Sequence, residues 1–210
     1  MTMSVPADVS DQLIRAGHRF DLRGWVLGTS GNFSAVLERD PLRLAITRSG
    51  SHKGELTAAD ILEYCDGLVV GAAGSASAET ALHVAIVRAR GANAVFHTHS
   101  TWSTLLSHRY AELGGVAIRG YEMLKGLAGG TTHEHREWLP ILENDQDMPR
   151  LAGVARQALA DHPACHGLLL RRHGLYTWGA TIAEAARHVE ILEFLLEGVA
   201  RAKEAALWRS

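Results

Sequence analysis

Two histidines, His97 and His99, lie two residues apart at the end of an apolar run in AVFHTHSTW (94–102). The run predicts a buried strand, and on a strand residues i and i+2 project from the same face. Two imidazoles side by side suit one metal ion, at about 2.0–2.1 Å per nitrogen. A catalytic zinc site usually takes three protein ligands and leaves one position open. The third ligand should be a histidine or carboxylate at another strand end or loop. His173 fits: in LLLRRHGLY (168–176) it follows an apolar run and precedes a glycine, as the first pair follows one. A second His-x-His, His133 and His135 in THEH (132–135), has polar surroundings. It reads as a solvated loop, or as a helix on which i and i+2 do not face each other. His18, His52, His83, His108, His162, His166 and His188 are assigned surface or capping roles.

Two polar glycine loops precede the first pair: TSGN (29–32) and TRSGSHKG (47–54). Such loops let backbone N–H groups and hydroxyls converge on an anion. Lys53 adds charge there, and SAS (75–77) precedes a helix start whose dipole favours an anion. Together they predict a phosphate site. Neither a P-loop nor a dinucleotide fingerprint occurs.

The bulk properties narrow the class. The chain has 210 residues, 47% of them hydrophobic, and a net charge of −2. That is enough to bury one core, and it makes no electrostatic case for nucleic acid or an anionic membrane. The two cysteines, Cys65 and Cys165, form neither a C-x-x-C pair nor a disulfide framework. No signal peptide and no uninterrupted membrane span is read, so a soluble cytoplasmic protein is expected.

The elements needed to hold these groups follow from the pattern. A helix is predicted over 8–22, then strands over 33–38 and 42–47 joined by a turn at Asp40-Pro41. A short helix is expected over 56–64, where Thr57 and Asp60 have capping-box spacing, and a brief strand over 67–71. A helix follows within 75–90, a strand over 92–99, a helix over 100–108, a strand over 115–120 and a short helix over 121–127. The last third reads as a strand over 139–144, a helix over 149–163, two strand segments within 167–179 and a long helix over 181–208. Helices and strands mix without a linker or repeat, which predicts a single α/β domain, 1–210, with helices covering a sheet that is not purely parallel.

GTSGN, TRSG, SAET, HTHS and RHGLYTWG, in this order, resemble the class II aldolase/adducin-head family across nearly the whole length. The stretch 120–152, GYEMLKGLAGGTTHEHREWLPILENDQDMPRLA, is most similar to the sugar-phosphate dehydratases of that family. The resemblance implies a three-layer α/β/α fold with a mostly antiparallel central sheet, and a homotetramer with sites at subunit boundaries. It implies one Zn2+ per subunit on His97, His99 and His173. Ser30, Gly31, Asn32, Thr47, Ser49, Gly50 and Ser77 match the phosphate loops. The aldolases carry Ser-Ser-Glu where this chain has Ser77-Ala78-Glu79, so one phosphate hydroxyl is missing.

The implied reaction is loss of water from 5-methylthioribulose 1-phosphate, giving 5-methylthio-2,3-dioxopentyl phosphate in methionine salvage, without a redox cofactor. Alternatives are a zinc-dependent aldolase or epimerase on another sugar phosphate, and a non-catalytic scaffold like the adducin head. Two carboxylates compete for the proton work. Glu79 holds the aldolase position at a helix start, where the dipole favours a base. Glu122 lies in the dehydratase-like stretch and is assigned as proton donor, a role that favours an enclosed pocket and a raised pKa.

Overall fold

The computed structural model describes residues 5–70 and 74–207. Gly71 of the expected short strand and Trp208 of the expected last helix lie outside them. Nine strands form one sheet, β1 (Asn32–Arg39), β2 (Leu42–Thr47), β3 (Ile61–Cys65), β4 (Leu68–Val70), β5 (Ala94–Thr98), β6 (Gly115–Ile118), β7 (Glu137–Leu142), β8 (Gly167–Leu170) and β9 (Gly174–Gly179), in the spatial order β4-β3-β2-β1-β5-β9-β8-β7-β6. Every neighbouring pair is antiparallel except β7 and β8. The five α-helices are α1 (Ala7–Leu22), α2 (Thr80–Arg90), α3 (Thr101–Arg109), α4 (Met148–Asp161) and α5 (Ile182–Leu207).

Side-chain alternation divides the helices between two faces. On β5, Val95 packs with Leu82 and Ile86 of α2 and Leu151 and Leu159 of α4. Ala94 and Phe96 turn the other way, toward Leu13 and Phe20 of α1 and Val189 of α5. Leu106 of α3 packs with Leu192 and Leu196 of α5, on Leu169 and Leu175 of the sheet. Helices therefore cover both faces of a mostly antiparallel sheet, as the resemblance implies.

One element differs in type from the sequence reading. The stretch 56–64 is not a helix. Thr57 and Asp60 do form the capping box, but it closes only a single 3-10 turn, Ala58–Asp60. Ile61–Cys65 then pairs with β2, register Ile46↔Leu62 and Leu44↔Tyr64. Capping chemistry starts a turn, but β-branched and aromatic side chains beside an open strand edge favour the sheet. The short helix expected over 121–127 is a 3-10 helix, Glu122–Gly126.

Candidate active site and metal centre

His97 is the last residue but one of β5 and pairs in register with Asn32 of β1 and Tyr176 of β9. His99 is the first residue after β5, its N–H donating to Trp25 O at 2.7 Å, and Ser100 then caps α3 by accepting from Ser103 N. His173 sits in the tight β8–β9 turn, its N–H donating to Leu170 O at 3.1 Å. Two glycines permit this approach. A Cβ on Gly174 would collide with the Thr98 carbonyl, and one on Gly31 (φ +75°) would stand 2.7 Å from His97 O.

The Nε2 atoms of His97 and His99 are 2.7 Å apart, and those of His97 and His173 are 3.3 Å apart. His97 Nδ1–H donates to Leu175 O at 2.9 Å, which leaves the Nε2 lone pair facing its neighbours. The Tyr176 ring stacks on His97 with centroids 3.9 Å apart and locks its plane. Burial, then the facing imidazoles, push His97 well below the ordinary histidine range, and burial with His173 brings His99 to about 4. Three neutral imidazoles with converging lone pairs are the state a divalent transition metal requires. The residues present therefore fit such an ion.

Glu79 lies beside this cluster, Oε1 3.3 Å from His173 Nε2 and Oε2 3.7 Å from His97 Nε2. Asn32 Nδ2 donates to Glu79 Oε2 at 2.6 Å. Behind Asn32, His83 is fully buried, with Nδ1 2.7 Å from Ser34 Oγ and Nε2 against Asn32 Oδ1. Burial takes His83 down to about 3, so it is neutral. Its Nε2–H donates to Asn32 Oδ1, and that turns the Asn32 amide NH2 toward Glu79. The surface role assigned to His83 is corrected accordingly: it stands one turn after Glu79 on the same helix face, inside the protein. His188 is also buried, with Nδ1–H donating to Trp178 O. His52 does cap a turn, accepting from Gly54 N.

A cavity of about 200 Å³ adjoins the cluster, lined by Thr29–Asn32, Arg48–Gly50, Ser77, Glu79, His99 and His173. The structure thus brings together Ser30, Gly31, Asn32, Ser49, Gly50 and Ser77 with two of the three histidines. Thr47 is not among them, because its side chain is fully buried and Oγ1 accepts from Phe33 N at 3.1 Å. Lys53 does not reach the cavity either. It is buried, donating to Thr29 O and Ser51 O, and burial lowers it to about 8. It ties the two glycine loops together. The cation on the wall is Arg48, which the sequence reading passed over although it stands in the quoted TRSG. Ser30 Oγ and Arg48 Nε are buried without a hydrogen-bond partner, although the guanidinium donates through Nη2 to Ala59 O at 2.8 Å and its Nε lies 3.8 Å from Asp60 Oδ1.

Glu122 contradicts the enclosed, raised-pKa setting expected of it. Its side chain is 72% exposed, and Lys125 Nζ donates to it at 2.6 Å. That hydrogen bond holds the carboxyl below its usual range. The 3-10 helix that carries it follows β6, the far edge of the sheet, and Glu122 does not line the cavity. His133 accompanies it, Nδ1 3.9 Å from Glu122 Oε2.

Residues 11–199 match the family described as Class II Aldolase and Adducin N-terminal domain. A methylthioribulose-1-phosphate dehydratase of Methylococcus capsulatus is 47% identical over 193 residues, covering 89% of this chain and 90% of that protein. The protein of the same name from Sorangium cellulosum is 44% identical over 194 residues, covering 91% of each. Among solved structures, an L-fuculose 1-phosphate aldolase superposes with a TM-score of 0.76 at 23% identity, covering 96% of this chain and 89% of that one. The Thermus thermophilus enzyme of that name gives 0.76 at 24% identity and 97% of each chain. At such identities the structural likeness speaks for the fold alone, while the match over 11–199 and the relatives above 40% speak for descent: the chain belongs to the class II aldolase and adducin N-terminal domain family.

Proposed function

We propose that this protein is a metal-dependent hydro-lyase that removes water from methylthioribulose 1-phosphate, the substrate in its relatives' names, in methionine salvage. One Zn2+ per chain would sit on His97, His99 and His173. The observation that carries the reading is the meeting of three imidazoles, Glu79 and a cavity lined by serines, glycines and Arg48 at one strand end. Zn2+ supplies Lewis-acid polarisation of the C2 carbonyl and its neighbouring hydroxyl, which makes the C3 proton removable.

The chain's own residues do the rest. Ser30, Ser49 and Ser77, backbone N–H groups at Gly31 and Gly50, and the Arg48 guanidinium hold the phosphate. Asn32, steadied by His83, orients Glu79 to take the C3 proton. The C4 oxygen leaves as water after receiving a proton, and the resulting enol ketonises to the 2,3-diketone. Glu122 is the proposed donor of that second proton. Its exposure means that it reaches a site only across a subunit boundary, in the homotetramer the family resemblance implies, where a neighbouring site would take it from water. The setting is cytoplasmic. Among the described residues no helix is long and apolar enough to cross a membrane.

Incubation with methylthioribulose 1-phosphate tests the reading. Diketone absorbance should grow in, and a chelator should abolish it. Release of two carbonyl fragments would replace it with the aldolase reading, and inertness together with no bound metal would leave the scaffold.

A further inference from the structure

We propose a second divalent-metal site, formed by His135, Glu137 and His166 at the opposite end of β8 from His173. The solvated-loop reading of THEH holds for the backbone, but not for what His135 does. It lies two residues before Glu137, the first residue of β7, and His166 immediately precedes β8. β7 and β8 are the one parallel pair of the sheet, so their starting ends lie at the same edge. That topology gathers three groups from two segments. The four residues of β8 (Gly167–Leu170), about 13 Å of strand, separate this cluster from the turn carrying His173, so the two sites cannot share one ion.

Glu137 is fully buried. Its Oε2 faces two ring nitrogens at once, His166 Nδ1 at 2.8 Å and His135 Nε2 at 3.1 Å. Its Oε1 accepts from His166 N at 2.8 Å, which fixes the carboxylate plane. His166 Nε2–H donates to Ala128 O at 2.8 Å, and although burial opposes it, the Glu137 hydrogen bond and charge raise the ring's pKa, so Nδ1–H donates to Glu137 Oε2 until an ion takes that proton's place. An outer N–H given to a backbone carbonyl is the arrangement that second-shell contacts impose on metal-ligating histidine, and it leaves the inner nitrogen beside the carboxylate oxygen that would share the ion. All three ligand atoms lie within 4.8 Å of one another. Two histidines and a carboxylate are a ligand set for Zn2+ or Fe2+. A cavity of about 430 Å³, with His135 and His166 on its wall, gives an ion a way in and leaves room for a water ligand. Zn2+ there would tie the loop before β7, and Ala128 through His166, to the start of β8.

Elemental analysis after loading with ZnCl2 and desalting tests the site. The wild-type chain should hold two equivalents. His135→Ala should hold one, with an unchanged far-ultraviolet circular dichroism spectrum. His173→Ala should also hold one, and the double variant none. His135 is a loop residue, so its removal spares the core. Asn at the same position, which keeps a polar head without imidazole, should also give one equivalent. A wild-type chain that takes up a single equivalent, lost in His173→Ala and kept in His135→Ala, would show that protons alone join these groups, and would overturn the site without touching the histidine triad. Retention of two equivalents in His135→Ala would overturn it as well.

Discussion

His97 and His99 stand at the end of a strand buried along its whole length, while His133 and His135 share their spacing in a loop ahead of β7. The residue between them differs just as much. Thr98 is fully buried and donates to Glu193 Oε1 on α5 at 2.7 Å, whereas Glu134 is exposed. Each pair has a glutamate nearby. Glu79 is held by Asn32 and aimed at imidazole nitrogens, whereas Glu122 is held by Lys125 and turned to solvent. Equal spacing in sequence thus has different chemical value, because the first pair is ordered by hydrogen bonds made to fixed backbone. The loop pair splits: His133 stays with Glu122, and His135 joins groups from the next strand.

The sharpest way to break this contrast is to remove one imidazole from each side. His173→Ala should release the triad's zinc equivalent and lower kcat/KM by roughly 10³ or more, since several kcal/mol of Lewis-acid stabilisation leave with it. His133→Ala should keep both. Equal losses would show that His133 also holds the ion.

The two carboxylates come next. Glu79→Gln should lower kcat by roughly 10²–10⁴ with the triad's ion retained. Glu122→Gln should do the same if a neighbouring copy encloses it. A near-normal Glu122→Gln beside a dead Glu79→Gln would give both proton steps to Glu79 and draw the reading toward the aldolases.

Glu193 tests the support beneath Thr98. Burial raises its pKa from 4.5 to about 7, against the Thr98 and Ser100 hydroxyls that lower it. A carboxyl raised in the folded state contributes stability that is complete below the unfolded pKa and is lost as pH climbs through the folded one. From pH 4.5 to above 7 this amounts to about 3 kcal/mol. Denaturant unfolding should show that fall in wild type and a flatter profile in Glu193→Gln. Parallel profiles would mean that Glu193 is ionised and solvated.

The smallest effect expected is at the anion wall. Arg48→Met should raise KM by roughly 10- to 100-fold, as for a lost charge-assisted hydrogen bond, with little change in kcat. A loss confined to kcat would remove Arg48 from phosphate binding.

Much of this was legible from residue order. The strand carrying His97, the glycine loops and the turn at His173 all announce themselves through local pattern, and local pattern decides them. What was not legible depends on pairing. Ile61–Cys65 became a strand because β2 offered an edge, which no capping signal reveals. Arg48 and Lys53 sit five residues apart in one polar loop, and only the packing of Lys53 under Thr29 leaves Arg48 as the one of the two that lines the cavity. His83 could have been suspected from its place one turn after Glu79, but a histidine's burial is set by what packs on it. The enclosure expected for Glu122 rested on the role given to it, and the isolated chain does not provide it.

The site's contributors come from residues 29–32, 48–50, 77–79, 97–99 and 173. Four of these five stretches lie in the first half of the chain, yet His173, the proposed third ligand, arrives only when β9 has paired with β5, across about 80 residues of chain. Such non-local pairing is slow to form, since the loop entropy is spent before any contact is gained. A metal held on these three imidazoles therefore could not seed folding. It can grip only a chain whose middle strands have already met. Its stabilisation would belong to the native side of the barrier and act as a latch: chelation should hasten unfolding while leaving the refolding rate almost as it was.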